Sequence, residues 1–222
     1  MTTLWTPPPE WVSGDKKLAA AVSRLAKKAA ELEAQVAETE ALRPPPQRLM
    51  ETYPLSTTEQ LTRAIRYCEA RLPLAQTLFE HRRKADDLAE QMDGTLVEAT
   101  ADAEKARDAV IAERRRQLGA AGTWPAEGKA PRRGSSQGQL LYRHPDVTDA
   151  EASIRTLRAK RESLAEMRKT NRKEATELRK EIKNLPNRTQ GLQSQLRAAK
   201  APPPESPDYR AEGGYKTPNP FE

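Results

Sequence analysis

The residues best suited to chemistry in this chain are cations. Arg155, Arg158, Lys160, Arg161, Arg168, Lys169, Arg172, Lys173, Arg179, Lys180 and Lys183 fall within about eight turns of an expected helix. Guanidinium and ammonium groups at this density suit one task, holding a polyanion by its phosphates. Three i,i+4 pairs, 168/172, 169/173 and 179/183, are like-charged and oppose helix formation unless something neutralises them. Phosphates would do so, giving salt-dependent, sequence-tolerant binding, and a self-paired RNA is read mainly by shape and backbone. No aromatic residue interleaves with these cations, which argues against base stacking on single strands. The plainer reading is a solvated helical face with no ligand.

Other chemistries find little purchase. The sequence contains no Gly-x-Gly-x-x-Gly, Walker or Gly-x-Ser-x-Gly motif, and its single Cys68 and its two histidines, His81 and His144, have no obvious partners. The expectation is a non-enzymatic chain without metal or other cofactor. Its carboxylates fall mostly on polar helical faces, and 5% aromatic residues offer little from which to build a pocket that would shift a carboxyl pKa.

The elements that must position the cations are helices. Of 222 residues 36% are hydrophobic and 32% charged, a balance that suits long helices sharing narrow seams better than a large globular core. Most of the eighteen prolines cluster at 7–9, 44–46, 125–145 and 202–220, and these clusters mark the joints. The resulting expectation is an all-α fold of extended coiled-coil helices with a central αα-hairpin and disordered linkers and tail. Its parts are a disordered segment 1–13, a coiled-coil oligomerisation helix 14–43, a Pro-rich linker 44–55, the hairpin 56–119, a disordered basic linker 120–147, a basic coiled-coil helix 148–200 and a disordered tail 201–222.

Leu18, Val22, Leu25, Ala29, Leu32 and Val36 alternate at spacings of four and three, the period of a coiled-coil seam. With leucines at d and valines at a, this pattern favours a parallel dimer; the competing reading is an amphipathic helix packed within its own chain. Ser56-Thr57-Thr58-Glu59 is a capping box. Asp93-Gly94 followed by Thr95 and Glu98 predicts a turn and a fresh helix start, against the simpler possibility of one continuous helix. Thr148 and Glu151 predict a third start. From there Ile154, Leu157, Arg161, Leu164, Arg168, Asn171, Ala175, Leu178, Ile182 and Leu185 keep spacings of three and four, and the phase survives Pro186. Arg161, Arg168 and Asn171 thus fall on the seam, where the arginines would repel their equivalents in a second copy unless an anion or carboxylate meets them.

The charge is localised as well. Between 147 and 200 there are fourteen basic and seven acidic residues, whereas the net charge of the whole chain is +6. A second, shorter cluster, Lys129, Arg132 and Arg133, has the composition of a nuclear address. No apolar run approaches the roughly 20 residues needed to cross a bilayer, and the first residues lack a secretory leader's pattern, so the expectation is a soluble protein with no membrane partner.

Trp11-Val12-Ser13-Gly14-Asp15-Lys16-Lys17-Leu18, leading straight into a coiled coil, resembles the opening of the delta antigens, the nucleoproteins of hepatitis delta virus and its animal-virus relatives. Val147-Thr148-Asp149-Ala150-Glu151 before the basic helix, and Pro204-Glu205-Ser206-Pro207 with Arg210 and Glu212-Gly213 near the end, are similar in the same order. The resemblance implies an oligomeric viral nucleoprotein that packages rod-like, self-paired RNA in the host nucleus and supports its copying by host RNA polymerase. Oligomerisation would use Trp11, Val12, Leu18, Val22, Leu25, Leu32 and Val36. RNA would bind from Arg155 to Lys183, and Lys129, Arg132 and Arg133 would lie in the nuclear-signal region. Residues 44–119 have no counterpart in that family, whose coil is antiparallel. The C-terminal prenylation box of the human virus's long form is absent from the Asn-Pro-Phe-Glu ending. The competing function is a structural coiled-coil protein, an assembly scaffold or phage morphogenesis factor, of the cytoplasm and without a nucleic-acid role.

Overall fold

A computed structural model describes residues 4–11, 15–44, 56–122 and 133–201. They form one 3-10 turn, Pro9–Trp11, and four α-helices: α1 Lys16–Ala41, α2 Thr57–Ala120, α3 Ser136–Tyr142 and α4 Pro145–Lys200. No strand occurs among the described residues, and the all-α class stands.

Three of the four helices begin where a side chain can satisfy free backbone amides. Asp15 caps α1 by accepting from Lys17 N and Leu18 N at 2.9 and 3.0 Å. Ser56 and Glu59 form the expected reciprocal box at the head of α2. The third expected start is displaced: α4 opens at Pro145, behind His144, and Thr148 lies inside it with its hydroxyl bonded to the Pro145 carbonyl. Proline at the first helical position loses only an N–H that has no partner there, so Pro145 belongs to the helix and not to the linker. Gly122, in the left-handed region at φ +70°, closes α2.

The hairpin expected over 56–119 does not exist. Helix α2 runs unbroken through Asp93-Gly94, and Thr95 donates to the Met92 carbonyl in place of capping a new helix. Met92 and Leu96, both buried, carry one seam straight across the glycine. A turn there would break that seam, a larger loss than the roughly 1 kcal/mol a helical glycine costs. The hairpin that does form is α2 against α4, antiparallel, with Arg71 beside Glu181 and Arg161 beside Asp93. Pro73 and Pro186 sit within these helices on exposed faces, where the missing N–H and the ring's crowding of the preceding turn are accommodated on the solvent side.

Helix α1 lies antiparallel on α2. His81 is bonded to the Leu25 carbonyl, Tyr67 to Glu40, and Arg63 to the carbonyls of Ala41 and Leu42. Two clusters form the core of this three-helix zone: Ala29 and Leu32 with Leu74, Ala75, Leu78 and Leu178, and Leu18 and Val22 with Ala89, Met92, Leu96 and Leu164. The segment ahead of α1, expected to be disordered, is ordered over residues 4–11. Leu4 joins the first cluster, its N–H donates to Glu33, and Trp5 and Trp11 cover the second. Its apolar residues repay the ordering by closing the mouth of the core.

Beyond the start of α1, helices α2 and α4 continue alone as a two-helix arm. Helix α3, inside the expected disordered linker, is capped by Ser135 and buries Leu141 close to the arm's end, where Leu118 and Val147 are also buried. The expectations for 45–55, 123–132 and 202–222, including the Pro-rich linker and the tail, lie outside the described residues.

Candidate nucleic-acid interface

The seam between α2 and α4 decides what the basic residues can do. On α4, Leu157, Leu164, Asn171, Leu178, Leu185 and Leu192 recur every seven residues, with Arg161 and Arg168 in the adjoining seam row, as the period requires. On α2 the matching row is Cys68, Ala75, Arg82, Ala89 and Leu96, every member of it buried. Its charged member meets the polar member of α4: Arg82 donates to Asn171 Oδ1 at 3.1 Å, Asn171 Nδ2 donates to the Arg82 carbonyl at 2.8 Å, and Glu174 reaches the same guanidinium at 2.5 Å. Burial pushes the Arg82 pKa down, and the Glu174 charge opposes that shift.

The sign of the pairing inverts at this layer. Toward the arm, arginines of α4 meet carboxylates of α2: Arg168 with Asp86 and Glu90, Arg172 with Asp86, Arg161 with Asp93, Arg158 with Glu104, at 2.6–3.1 Å. Burial pushes the Asp86 carboxyl up, but hydrogen bonds from Arg172 and Arg168 outweigh it and hold the group below its ordinary value. Toward the other end, carboxylates of α4 meet arginines of α2: Glu174 with Arg82, and Glu181 with Arg71 through two bonds of 2.7 and 3.0 Å.

The cations expected to bind RNA therefore divide into classes. Arg158, Arg161, Arg168 and Arg172 are neutralised by α2, a carboxylate answer to the like-charge problem of 168 and 172. Lys169 and Lys180 have neighbours on their own helix, Glu166 at 4.0 Å and Glu177 at 2.8 Å, and Arg155 donates to the Glu151 carbonyl. Lys160, Lys173, Arg179 and Lys183 make no ion pair among the described residues. In the same position are Arg188, Arg197 and Lys200, which sequence reasoning left out because they follow Pro186 and lie outside the dense run. Since Glu174 and Glu181 turn inward, the outward face of α4 from Lys169 to Lys200 is overwhelmingly cationic, with Glu177 its one exposed carboxylate. The outward face of the first half is mixed, carrying Glu162 and Glu166 beside Arg155.

The residues expected to oligomerise do something else here. Leu18, Val22, Leu25 and Leu32 are buried, and Trp11 and Val36 partly buried, against α2 and α4 of the same chain. Their seam is not a free surface: α2 presents the matching apolar row within the chain, so the amphipathic-helix reading describes α1. Val12 lies outside the described residues. So do Lys129 and Arg132, while Arg133 pairs with Glu151 and stacks on Tyr142, its guanidinium carbon 5.2 Å from the ring centre.

Among the described residues no group of three His, Cys, Asp or Glu is placed to hold a metal ion, and no helix is long and apolar enough to cross a membrane. A groove of about 650 Å³ between α1 and α2 has Leu25, Leu32 and Leu88 in its walls, Arg24, Lys28 and Lys84 on its rim, and His81 in its lining. Burial lowers the His81 pKa; the bond to the Leu25 carbonyl opposes this, and the charges of Arg82, Lys84 and Lys28 reinforce it. Comparison with protein-family models, with curated proteins and with solved structures finds no match to this chain.

Proposed function

We propose that this protein is a non-enzymatic RNA-binding nucleoprotein whose contact surface is the outward face of the second half of α4. The observation that carries the reading is the segregation of charge on that helix, with Glu174 and Glu181 drawn inward to α2 and Lys173, Arg179, Lys183, Arg188, Arg197 and Lys200 left outward. From Lys169 to Lys200 the row is about 47 Å long at 1.5 Å per residue. That length is comparable with the roughly 16 base pairs over which duplex-RNA modules read shape and phosphates. A straight cationic row without aromatic side chains fits a self-paired RNA better than a single strand.

The resemblance of Trp11–Leu18 and the later motifs to the delta antigens supports the same reading and extends it to a viral protein of the host nucleus that packages rod-like RNA and supports its copying by host RNA polymerase. Binding of the full chain to a long self-paired RNA, measured over a salt series, tests the proposal. Affinity should fall steeply with salt, and the K173Q/R179Q/K183Q variant should lower the slope of log K against log salt by about 2.5. No binding at low salt, or a slope unchanged in the variant, overturns it.

One observation favours a structural coiled-coil protein, such as an assembly scaffold, instead: six of the eleven candidate RNA contacts already have carboxylate partners in their own chain, four of them on α2. Loss of RNA binding in the wild type together with retained assembly would select that reading.

A further inference from the structure

Helix α1 divides into two halves of opposite charge. Lys16, Lys17, Arg24, Lys27 and Lys28 are all exposed, and no carboxylate occurs from Lys16 to Ala30. The second half holds Glu31, Glu33, Glu38 and Glu40 and no cation. Asp15, just ahead of the helix, is engaged as its cap. This order runs against helix stability, which favours carboxylates near the N-terminus and cations near the C-terminus. The first turn of α1 has no acidic residue and the last turn no basic one. Arg24 also has like-charged neighbours at i+3 and i+4, Lys27 and Lys28. None of the five cations makes an ion pair among the described residues. Charges set against the interest of their own helix point to an anion supplied from outside.

The patch is not an edge of the cationic row on α4. Leu18 and Val22 pack with Leu164, and Ala29 and Leu32 with Leu178, so the cationic half of α1 runs beside residues 164–178 of α4. The acidic half of α1 lies beside the continuation of the α4 row. The two helices also occupy different sides of α2. Helix α1 lies along Leu74 and His81, and α4 along Ala75 and Arg82, one residue and hence about 100° further round. Toward the groove between α1 and α2 the patch ends, because Lys84 stands there with Glu80 and Asp87. Between the cations the exposed residues are Ala20, Ser23 and Ala30, which offer neither an apolar anchor nor a ring for stacking. What remains is positive charge spread over about 18 Å, the chemistry that holds a phosphate backbone.

We infer that the outward face of the first half of α1 is a second phosphate-backbone surface, so that one chain holds two segments of duplex RNA on diverging faces. The inference rests on the nucleoprotein reading and adds bridging to it: once the α4 row holds one segment of a long RNA, capture of another by α1 is intramolecular.

The test counts duplexes per chain. Full-length protein is mixed at low salt with an excess of an RNA duplex of about 16 base pairs, and the complex is weighed by sedimentation; a count per chain is the same whether or not chains associate. The wild type should bind two. R24Q/K27Q/K28Q should bind one, its second site weakened at least tenfold, with helicity by circular dichroism unchanged. One duplex per chain in the wild type, lost in K173Q/R179Q/K183Q, overturns the inference and leaves the nucleoprotein reading standing. Two duplexes retained in R24Q/K27Q/K28Q overturn it as well. Polyglutamate bound by the wild type but not by R24Q/K27Q/K28Q, with only one duplex per chain, would make an acidic protein the partner of this face and overturn the RNA assignment. No duplex bound at all overturns both readings.

Discussion

The three-helix zone and the two-helix arm are built from the same two helices at the same heptad positions, yet they behave as different materials. Under α1, the repeat of α2 closes around Ala85, Ala89 and Met92 with no measurable exposure, and Leu164 of α4 is equally sealed. Past Leu96 the repeat persists with smaller residues, and Ala99, Ala103 and Val110 are partly open to solvent while Thr100, Leu118, Val147 and Ile154 remain buried. A heptad pattern therefore states where a seam runs and leaves open whether the seam is closed. That is decided by a third element, here α1 together with residues 4–11.

Unfolding by urea should expose this contrast most strongly through Leu164→Ala and Met92→Ala, each costing about 3 kcal/mol through lost burial and an unfilled cavity. Val110→Ala in the arm should cost less than about 1 kcal/mol. Equal losses in the two regions would mean that the arm is as sealed as the zone. Next in size is the polar layer. Asn171→Leu strands one edge of the Arg82 guanidinium and should destabilise by about 2 kcal/mol, whereas Arg82→Leu combined with Asn171→Leu should return stability close to wild type. A double variant no better than the single one would show that the layer stabilises the fold outright.

Asp86→Asn, which weakens the junction of Arg168 and Arg172 at the edge of the zone, should cost about 1.5 kcal/mol at neutral pH. Its carboxyl is held below the ordinary value of 3.8, so the native stabilisation is present above that value and lost as pH falls through the folded pKa. The variant should therefore lose less stability than wild type on acidification below pH 3.8. The smallest effect belongs to His81. Because burial lowers its pKa from 6.5, the unfolded chain takes up the proton first, and stability should decline as pH falls from 6.5 toward the folded value. His81→Gln should flatten that part of a stability-versus-pH curve, and an unchanged curve would place the titration elsewhere.

Periodicity made much of this architecture legible. The α4 repeat was readable through Arg161, Arg168, Asn171 and across Pro186, and with it the need for a counter-charge at the arginines. Which counter-charge would answer was not readable, because the carboxylates of α2 lie some 54 to 86 residues away and only the paired register brings them together. The seven-residue row Cys68, Ala75, Arg82, Ala89, Leu96 was present in the sequence, but its small and charged members hid it behind the louder Leu and Ile spacings. Asp93-Gly94 misled because turn chemistry is local, whereas the burial of Met92 and Leu96 is tertiary. The partner of α1 was undetermined for the same reason: an amphipathic stripe specifies that it will be covered and is silent on whether the cover comes from its own chain.

The ion-pair ladder along α2 and α4 also constrains how the chain can fold. Its rungs span 54 residues at Glu104–Arg158, 68 at Asp93–Arg161, 82 at Asp86–Arg168 and 110 at Arg71–Glu181. Each rung formed near the connector shortens the loop left to close for the next, so the low-entropy route zips from the arm outward. The pairing of α1 with α2 closes from the opposite end, starting at separations of 21 and 22 between Arg63 and the end of α1. Two zippers thus advance along one helix from its two ends and meet near His81 and Arg82, where an incorrect register would bury a guanidinium against leucine.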